Sequence, residues 1–257
     1  VQLYGKIKWL AFSLLLTLFF FSFIFPVSQM FFWILKFPNN FNLINLLDLT
    51  LNTLQLVLLT TIILILLSFI TNYGMRISEN KFLNIVTSFS VSGYAIPGII
   101  LAVTLLGFIS FLSEYFNNDS FKILFIGTIF GLIVAYCVRF YSLAINGIKA
   151  GYDKLNKSLD DVSYLMGNSK TGTFLHVHFP FLKQNLILIA MLVSIDILKE
   201  LPLTLILRPY NFETFSTQAY VFASQDMLEF TAGPSLFLIL FASLIILIAR
   251  KNILKGF

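Results

Sequence analysis

The chain has 257 residues, is 58% hydrophobic with 30 Phe, and carries only 11% charged residues at a formal net charge of +5. Its mean hydropathy of +0.89 lies far outside the range of water-soluble globular domains and makes an integral membrane protein the default class. The basic excess is scattered singly between apolar runs, with no dense patch and no aromatic stacking platform, which argues against nucleic acid as a partner.

A membrane-spanning helix needs about 20 mostly apolar residues. Charge-poor windows predict six spans, at about 9–27, 51–71, 93–113, 122–142, 185–206 and 233–250. The first contains LAFSLLLTLFFFSFIF, at the long end for a signal peptide and with no small-residue cleavage site after it, so it is retained as a helix. The chain begins at Val1 rather than Met, so it is expected to be a fragment or one half of a longer polypeptide. Residues 28–48, with Trp33, Lys36, Pro38, Asn39 and Asn40, read as an external loop with an interfacial, aromatic-anchored piece.

The window 82–113 is longer than a straight crossing requires. SVSGYAIPG interrupts it near Gly93, Pro97 and Gly98, where the proline removes a backbone donor. A broken helix at membrane depth needs protein or a watery cavity to satisfy the freed groups. A simple kink without a role in a pathway accounts for the same residues. Cys137 is the single cysteine, so no intramolecular disulfide forms, and its apolar surroundings give it a packing role. The fifth span is interrupted by Asp196, Lys199, Glu200 and Pro202.

With both termini in the cytoplasm, 13 of the 17 Lys and Arg lie on the inner side, all except Lys36, Lys122, Lys199 and Arg208. Arg139 is counted among the inner charges, as are Arg76 and Lys255. The reverse orientation inverts the bias, so a multi-pass protein with cytoplasmic termini is preferred. No HExxH, GxxxxGK[ST] or GxSxG run is present, which removes the common routes to an intramembrane protease, an ATPase or a hydrolase.

Residues 158–180, SLDDVSYLMGNSKTGTFLHVHFP, form a polar segment on the inner side. Ser158 is the predicted N-cap, and Asp160 and Asp161 complement the positive end of the helix dipole. Val162, Leu165 and Met166 line one face, and Gly167 is a natural stop. The pattern predicts a short amphipathic helix, a turn and a second short helix leading to the span after Pro180. An ordinary solvated loop fits the local pattern equally well.

The same stretch resembles the cytoplasmic loop of type I ATP-binding-cassette (ABC) importer permeases, whose pattern is E-A-A, three residues, G, nine residues, then I-x-L-P. Asp161, Val162 and Ser163 stand at the E-A-A positions, followed at the family spacing by Gly167, Val177, Phe179 and Pro180. A second stretch, DILKELPLTLILRPYNFETFSTQAYVFAS at 196–224, is similar to ferric-iron permeases, in which D-x-L-K-E-L-P and R-P-x-x-F-E-T recur; GYAIPGIILAV at 93–103 is similar too. The similarity covers roughly residues 50–250 and is greatest to the second half of fused ferric permeases.

The resemblance implies an all-α integral membrane protein of about six transmembrane helices with the type I ABC importer permease fold. It divides the chain into an N-terminal helix and external loop (1–49), a permease domain (50–250, coupling loop about 153–182) and a cytoplasmic tail (251–257). It implies a permease component of a binding-protein-dependent importer in a bacterial inner membrane, carrying ferric iron, with thiamine, a polyamine or phosphonate as alternatives. The coupling loop would dock on a dimeric cytoplasmic ATPase, which alone binds ATP, so no cofactor is expected in this chain. A second permease half, fused or separate, a periplasmic binding protein and the lipid bilayer complete the partners.

Asp196, Lys199 and Glu200 sit at i, i+3 and i+4 and are able to cluster on one helical face. Charges inside a membrane cost several kcal/mol unless paired or hydrated. The cluster therefore reads as a gate or pathway, as an internal ion pair, or as residues beyond a helix ending near Ile195. The candidate pathway set is Asp196, Lys199, Glu200, Pro202, Arg208 and Glu213, with Pro97 and Gly98. Iron(III) is a hard cation, so Asp196, Glu200, Tyr210 and Glu213 are the oxygen donors suited to transient contact, with no tightly bound metal. His176 and His178 read as surface histidines rather than ligands. A rival from another class is a secondary transporter driven by an ion gradient through Asp196, Lys199 and Glu200, and a membrane-embedded enzyme is the weaker third.

Overall fold

The computed structural model describes residues 5–38, 43–78 and 81–254, and among them all regular structure is helical. In chain order the helices are α1 (Gly5–Phe19), α2 (Phe25–Lys36), α3 (Leu43–Ser78), α4 (Lys81–Ser90), α5 (Gly98–Tyr115), α6 (Ser120–Phe125), α7 (Ile129–Tyr152), α8 (Ser158–Leu165), α9 (Lys170–Thr173), α10 (Phe179–Leu198), α11 (Pro202–Leu207), α12 (Phe215–Ser224) and α13 (Ala232–Leu254). Among the described residues six stretches are long and apolar enough to cross a membrane: Gly5–Lys36, Asn45–Ser78, Gly98–Tyr115, Ile129–Tyr152, Lys170–Leu198 and Leu228–Lys251. All six predicted spans are therefore present, and several of their ends move.

Unlike in a water-soluble fold, the outward faces are apolar, while polar side chains join an apolar core. Along α3, Thr53, Thr60, Thr61, Ser68 and Asn72 are buried, whereas Leu51, Leu58, Ile62, Leu66 and Ile70 point outward. Aliphatic side chains gain nothing by hiding from lipid tails, so the interior takes small and polar groups that bond across helices. Thr61 and Ser194 hydroxyls lie 3.1 Å apart, and Asn72 Nδ2 donates to Ile145 O at 3.1 Å. The core joins α3, α7 and α10 around Leu64, Tyr136, Ile148, Leu182 and Val193.

The first apolar run continues as helix through a π turn at Phe20–Ile24, which accommodates Pro26 in the first turn of α2. Residues 28–36 are thus helical rather than an external loop, because no breaker occurs before Pro38. Asn39, Asn40 and Lys255 lie outside the described residues. The third span does break where Pro97 predicts: a 3-10 turn at Val91–Ala95 is followed by extended Ile96 and Pro97 before α5 begins.

The fourth span starts at Ile129 instead of residue 122 and runs on to Tyr152. Gly127, at φ +65°, ends the preceding segment, and the Thr128 hydroxyl caps α7 by accepting from Gly131 N at 3.0 Å. Arg139 consequently sits near the middle of a spanning helix and is no inner-surface charge. The fifth span runs from Lys170 to Leu198 rather than over 185–206. A π turn at Phe174–His178 makes room for Pro180, so the chain is helical without interruption from α9 into α10.

Candidate functional site

Three places gather the residues singled out in the sequence. The first is α8, at the end of the bundle where α3 and α7 terminate. Its first turn is capped by Asn156, whose Oδ1 accepts from Ser158 N at 3.2 Å; Ser158 itself makes no cap. Asn156 takes the role because it stands two residues before that N–H, the spacing of an Asx turn. At the other end Asn168 N donates to Ser163 O (3.1 Å) and Gly167 N to Tyr164 O (2.9 Å), a Schellman pair with Gly167 at φ +86°. Gly167 is the stop that the pattern predicts.

The face formed by Val162, Leu165 and Met166 does not pack on the bundle. Leu165 is 87% and Met166 78% exposed. The inward residue is Ser163, whose hydroxyl lies 2.9 Å from Thr173 Oγ1. Asp161 is exposed, and Asp160 is turned the other way. Arg76, in the last turn of α3, grips Asp160 with two nitrogens, Nε to Oδ2 at 2.7 Å and Nη2 to Oδ1 at 3.2 Å. Its remaining N–H groups donate to the carbonyls of Leu155 (3.0 Å), Asn156 (3.1 Å) and Tyr152 (3.5 Å).

His178 Nε2 lies 2.8 Å from Asp160 Oδ1 and completes the arrangement. Only 1% of His178 is exposed, and the Tyr73 and Tyr152 rings meet it edge-on at 5.2 and 5.4 Å. The surface reading of His178 is thereby corrected, while His176 is exposed and its Nδ1 lies 2.9 Å from Gly172 O of its own turn. Partial burial works against ionisation of Asp160, but hydrogen bonds from Arg76 and His178 outweigh it and hold its carboxyl below the ordinary value. Val177 is half-buried in the π turn, and Phe179 and Pro180 are exposed where α10 begins.

The second place lies at the centre of the bundle, where two helices are interrupted side by side. One break is Ile96–Pro97, before α5; the other is Lys199–Leu201, between α10 and α11. Glu200 is only 7% exposed and pairs with Arg139, Nε to Oε2 at 3.2 Å. The Arg139 N–H is not aimed at that oxygen, so this is a charge contact rather than an aligned hydrogen bond. Arg139 Nη1 also donates to Ile96 O at 2.8 Å, satisfying a carbonyl freed by the break.

Glu200 Oε1 accepts from Leu203 N (3.4 Å), its backbone oxygen accepts from Thr204 and Ser216 hydroxyls (2.9 and 3.0 Å), and Thr204 bonds the buried Tyr136 hydroxyl. Pro97, Gly98, Glu200 and Pro202 therefore come together around Arg139. Asp196 and Lys199 pair separately at 2.7 Å, with Lys199 largely exposed. The three charges do not share a face because α10 ends at Leu198, which swings Glu200 away from the i+4 position.

The third place is a cleft of about 710 Å3 at the opposite end, whose lining includes Asn45, Asp48, Asn52, Tyr210, Glu213 and Gln218. Arg208 pairs with Glu213, which also accepts from Thr217 Oγ1 at 2.7 Å. Tyr210 is 93% exposed at the rim. The oxygen donors named for iron are thus divided between the centre and this cleft. Among the described residues no three His, Cys, Asp or Glu converge as a metal site. In the sequence Arg76 and Arg139 read only as orientation charges; the signal for their pairing is one acid within reach of each end of the fifth span.

No protein-family model matches the chain. Over 162 residues, 63% of this chain, it is 24% identical to the Fe(3+)-transport system permease protein FbpB 2 of Haemophilus influenzae. The match covers 30% of that relative's length. A bacterial ABC transporter involved in the import of the acidic polysaccharide alginate superposes with a TM-score of 0.70 at 16% identity, over 97% of this chain and 96% of that one. The bacterial alginate transporter in complex with alginate pentasaccharide-bound periplasmic protein gives 0.72 at 16% identity, over 96% and 94%. The inward-facing MetNI methionine ABC transporter gives 0.61 at 16% identity, over 82% and 95%.

The helical bundle with six spanning stretches defines a multi-pass membrane protein. Its fold is that of the type I ABC importer permeases, shared along nearly the whole chain.

Proposed function

We propose that the chain is the permease component of a binding-protein-dependent ABC importer that carries ferric iron across a bacterial inner membrane. The observation that carries the reading is α8, a short helix with an exposed apolar face, held at one end of an importer-type bundle by the largely buried Arg76–Asp160–His178 cluster. Such a helix has no use in a carrier driven only by an ion gradient, whereas a separate ATPase needs a handle on the membrane helices. The end that carries α8 also carries Lys8, Arg76, Lys154, Lys157, Lys170 and Arg250, which supports a cytoplasmic position for it and for both termini.

In this reading ATP is bound and hydrolysed by a dimeric cytoplasmic ATPase, and a second permease half faces this one. A periplasmic binding protein delivers cargo to the cleft at the far end. Ferric iron is favoured by the Fe(3+)-transport role of the H. influenzae relative and by the oxygen donors Asp48, Tyr210 and Glu213 in that cleft. Asp196, Lys199, Arg208 and Glu213 would border the path, with the Arg139–Glu200 pair at its midpoint.

The experiment is ferric-iron uptake into vesicles holding the chain with its ATPase, its second permease half and its binding protein. Uptake that needs ATP and survives dissipation of proton and sodium gradients is the expected result. Uptake that follows the gradients and ignores ATP overturns it in favour of a secondary transporter.

A further inference from the structure

We infer that Asp160, through Arg76 and His178, is the joint that transmits motion of α8 to α3, α7 and α10. The inference rests on α8 being the ATPase-docking helix. A docking helix has to be stiffly attached, or its displacement is absorbed locally. Apolar packing does not supply the stiffness here, since Leu159, Val162 and Leu165 are exposed and Ser163 is the one fully buried residue of α8. Among the described residues, the strongest polar attachment of α8 is the cluster on Asp160, with the Ser163–Thr173 contact beside it.

That cluster reaches α3, α7 and α10. Arg76 belongs to α3; its bonds to the Tyr152, Leu155 and Asn156 carbonyls fix the end of α7; and His178 belongs to the π turn that leads into α10. The bidentate fork between Arg76 and Asp160 constrains orientation as well as distance, as a single point contact does not. Arg76 and Asp160 side chains are 9% and 14% exposed, so water competes little for these bonds. His178 lies between Tyr73 and Tyr152, whose rings pack edge-on against it and restrict its movement. A displacement of α8 is therefore delivered at once to α3, α7 and α10, and α10 leads on to the break at Glu200.

The positioning role is read as cargo moved per ATP hydrolysed, in the complete reconstituted transporter with ferric iron as cargo. Asp160→Asn and Arg76→Gln are expected to leave the ATPase bound and hydrolysing while lowering that ratio about tenfold or more, the scale of a lost charge-assisted bond. Arg76→Lys restores part of it, because it keeps the charge without the fork. His178→Gln, which retains a donor, stays closer to the parent than His178→Phe. Glu114→Gln, at an exposed position of α5, leaves the ratio unchanged.

A parental ratio in both Asp160→Asn and Arg76→Gln overturns the joint. So does loss of bound ATPase in proportion to lost transport, which would make Asp160 part of the contact surface. A second readout is independent of transport: amide hydrogen exchange in α8 of the full chain should speed up about tenfold or more in Asp160→Asn, with α7 unaffected. Unchanged exchange in α8 sinks the inference even where no transport assay works. Absence of ATP-driven uptake by the parent protein with normal α8 protection refutes the proposed function instead.

Discussion

Arg139 and Glu200 form a charge pair at 3.2 Å where two membrane helices are broken beside each other. Each needs the other: among the described residues Glu200 is the carboxylate that pairs with Arg139, and Glu200 is almost wholly shielded from solvent. Removing one charge from a buried pair costs about 3–5 kcal/mol, because the survivor is left uncompensated. Glu200→Gln and Arg139→Gln are each expected to lower thermal stability in detergent markedly. The double variant should lose less than the sum of the two, and Glu114→Gln, on an exposed position of α5, should be silent. Additive losses in the double variant would show that the two side chains are not coupled.

Gly98 marks how closely the two breaks approach. A Cβ there would lie 2.9 Å from Glu200 Oε1, 3.2 Å from Pro202 Cβ and 3.4 Å from Arg139 Nη1. Gly98→Ala is therefore expected to cost about 1–3 kcal/mol by pushing the pair apart. Gly107→Ala in the same helix meets nothing within 4 Å and should be neutral or stabilising by about 0.5–1 kcal/mol. Melting of the two variants side by side separates local crowding at the break from a general effect of glycine in α5.

Features that depend on neighbours in sequence were legible, and those that depend on distant partners were not. The six apolar runs, the break at Pro97 and the stop at Gly167 follow from chain-local chemistry, and all three are present. The depth of Arg139 was misread because one cation in an apolar run resembles a span end, and its counter-charge arrives only after the whole fifth span. His178 looked like a surface residue because its burial is created by Tyr73 and Tyr152 from other helices. Asp196 and Glu200 parted company because α10 stops two residues before Glu200, a boundary set by Pro202 and the buried partner together.

Gly167 closes α8 in the left-handed region at φ +86°, with open space where a side chain would go. The obstacle to substitution is therefore backbone strain, on the order of 1–2 kcal/mol for an ordinary residue. Asn visits that region more readily, so Gly167→Asn should retain more transport than Gly167→Ala. Gly167→Asp is expected to abolish transport while the protein remains in the membrane, since an acid at the negative C-terminal end of α8 adds repulsion to strain. Parental transport by Gly167→Asp would remove the turn from any role in docking.

Asp160 also sets a pH dependence for the attachment of α8. Against partial burial, its bonds to Arg76 and His178 depress the carboxyl below its ordinary value of 3.8. A group depressed on folding contributes stability that is fully present above the unfolded value and disappears as pH falls through the folded one. Hydrogen-exchange protection of α8 is thus expected to be flat between about pH 7 and 5 and to fall away only below about pH 4. In Asp160→Asn the protection should be low throughout, with no inflection on the acid side. Should protection in the parent protein instead decay between about pH 7 and 6, the controlling group is one that titrates near neutrality, and Asp160 is not what fastens α8.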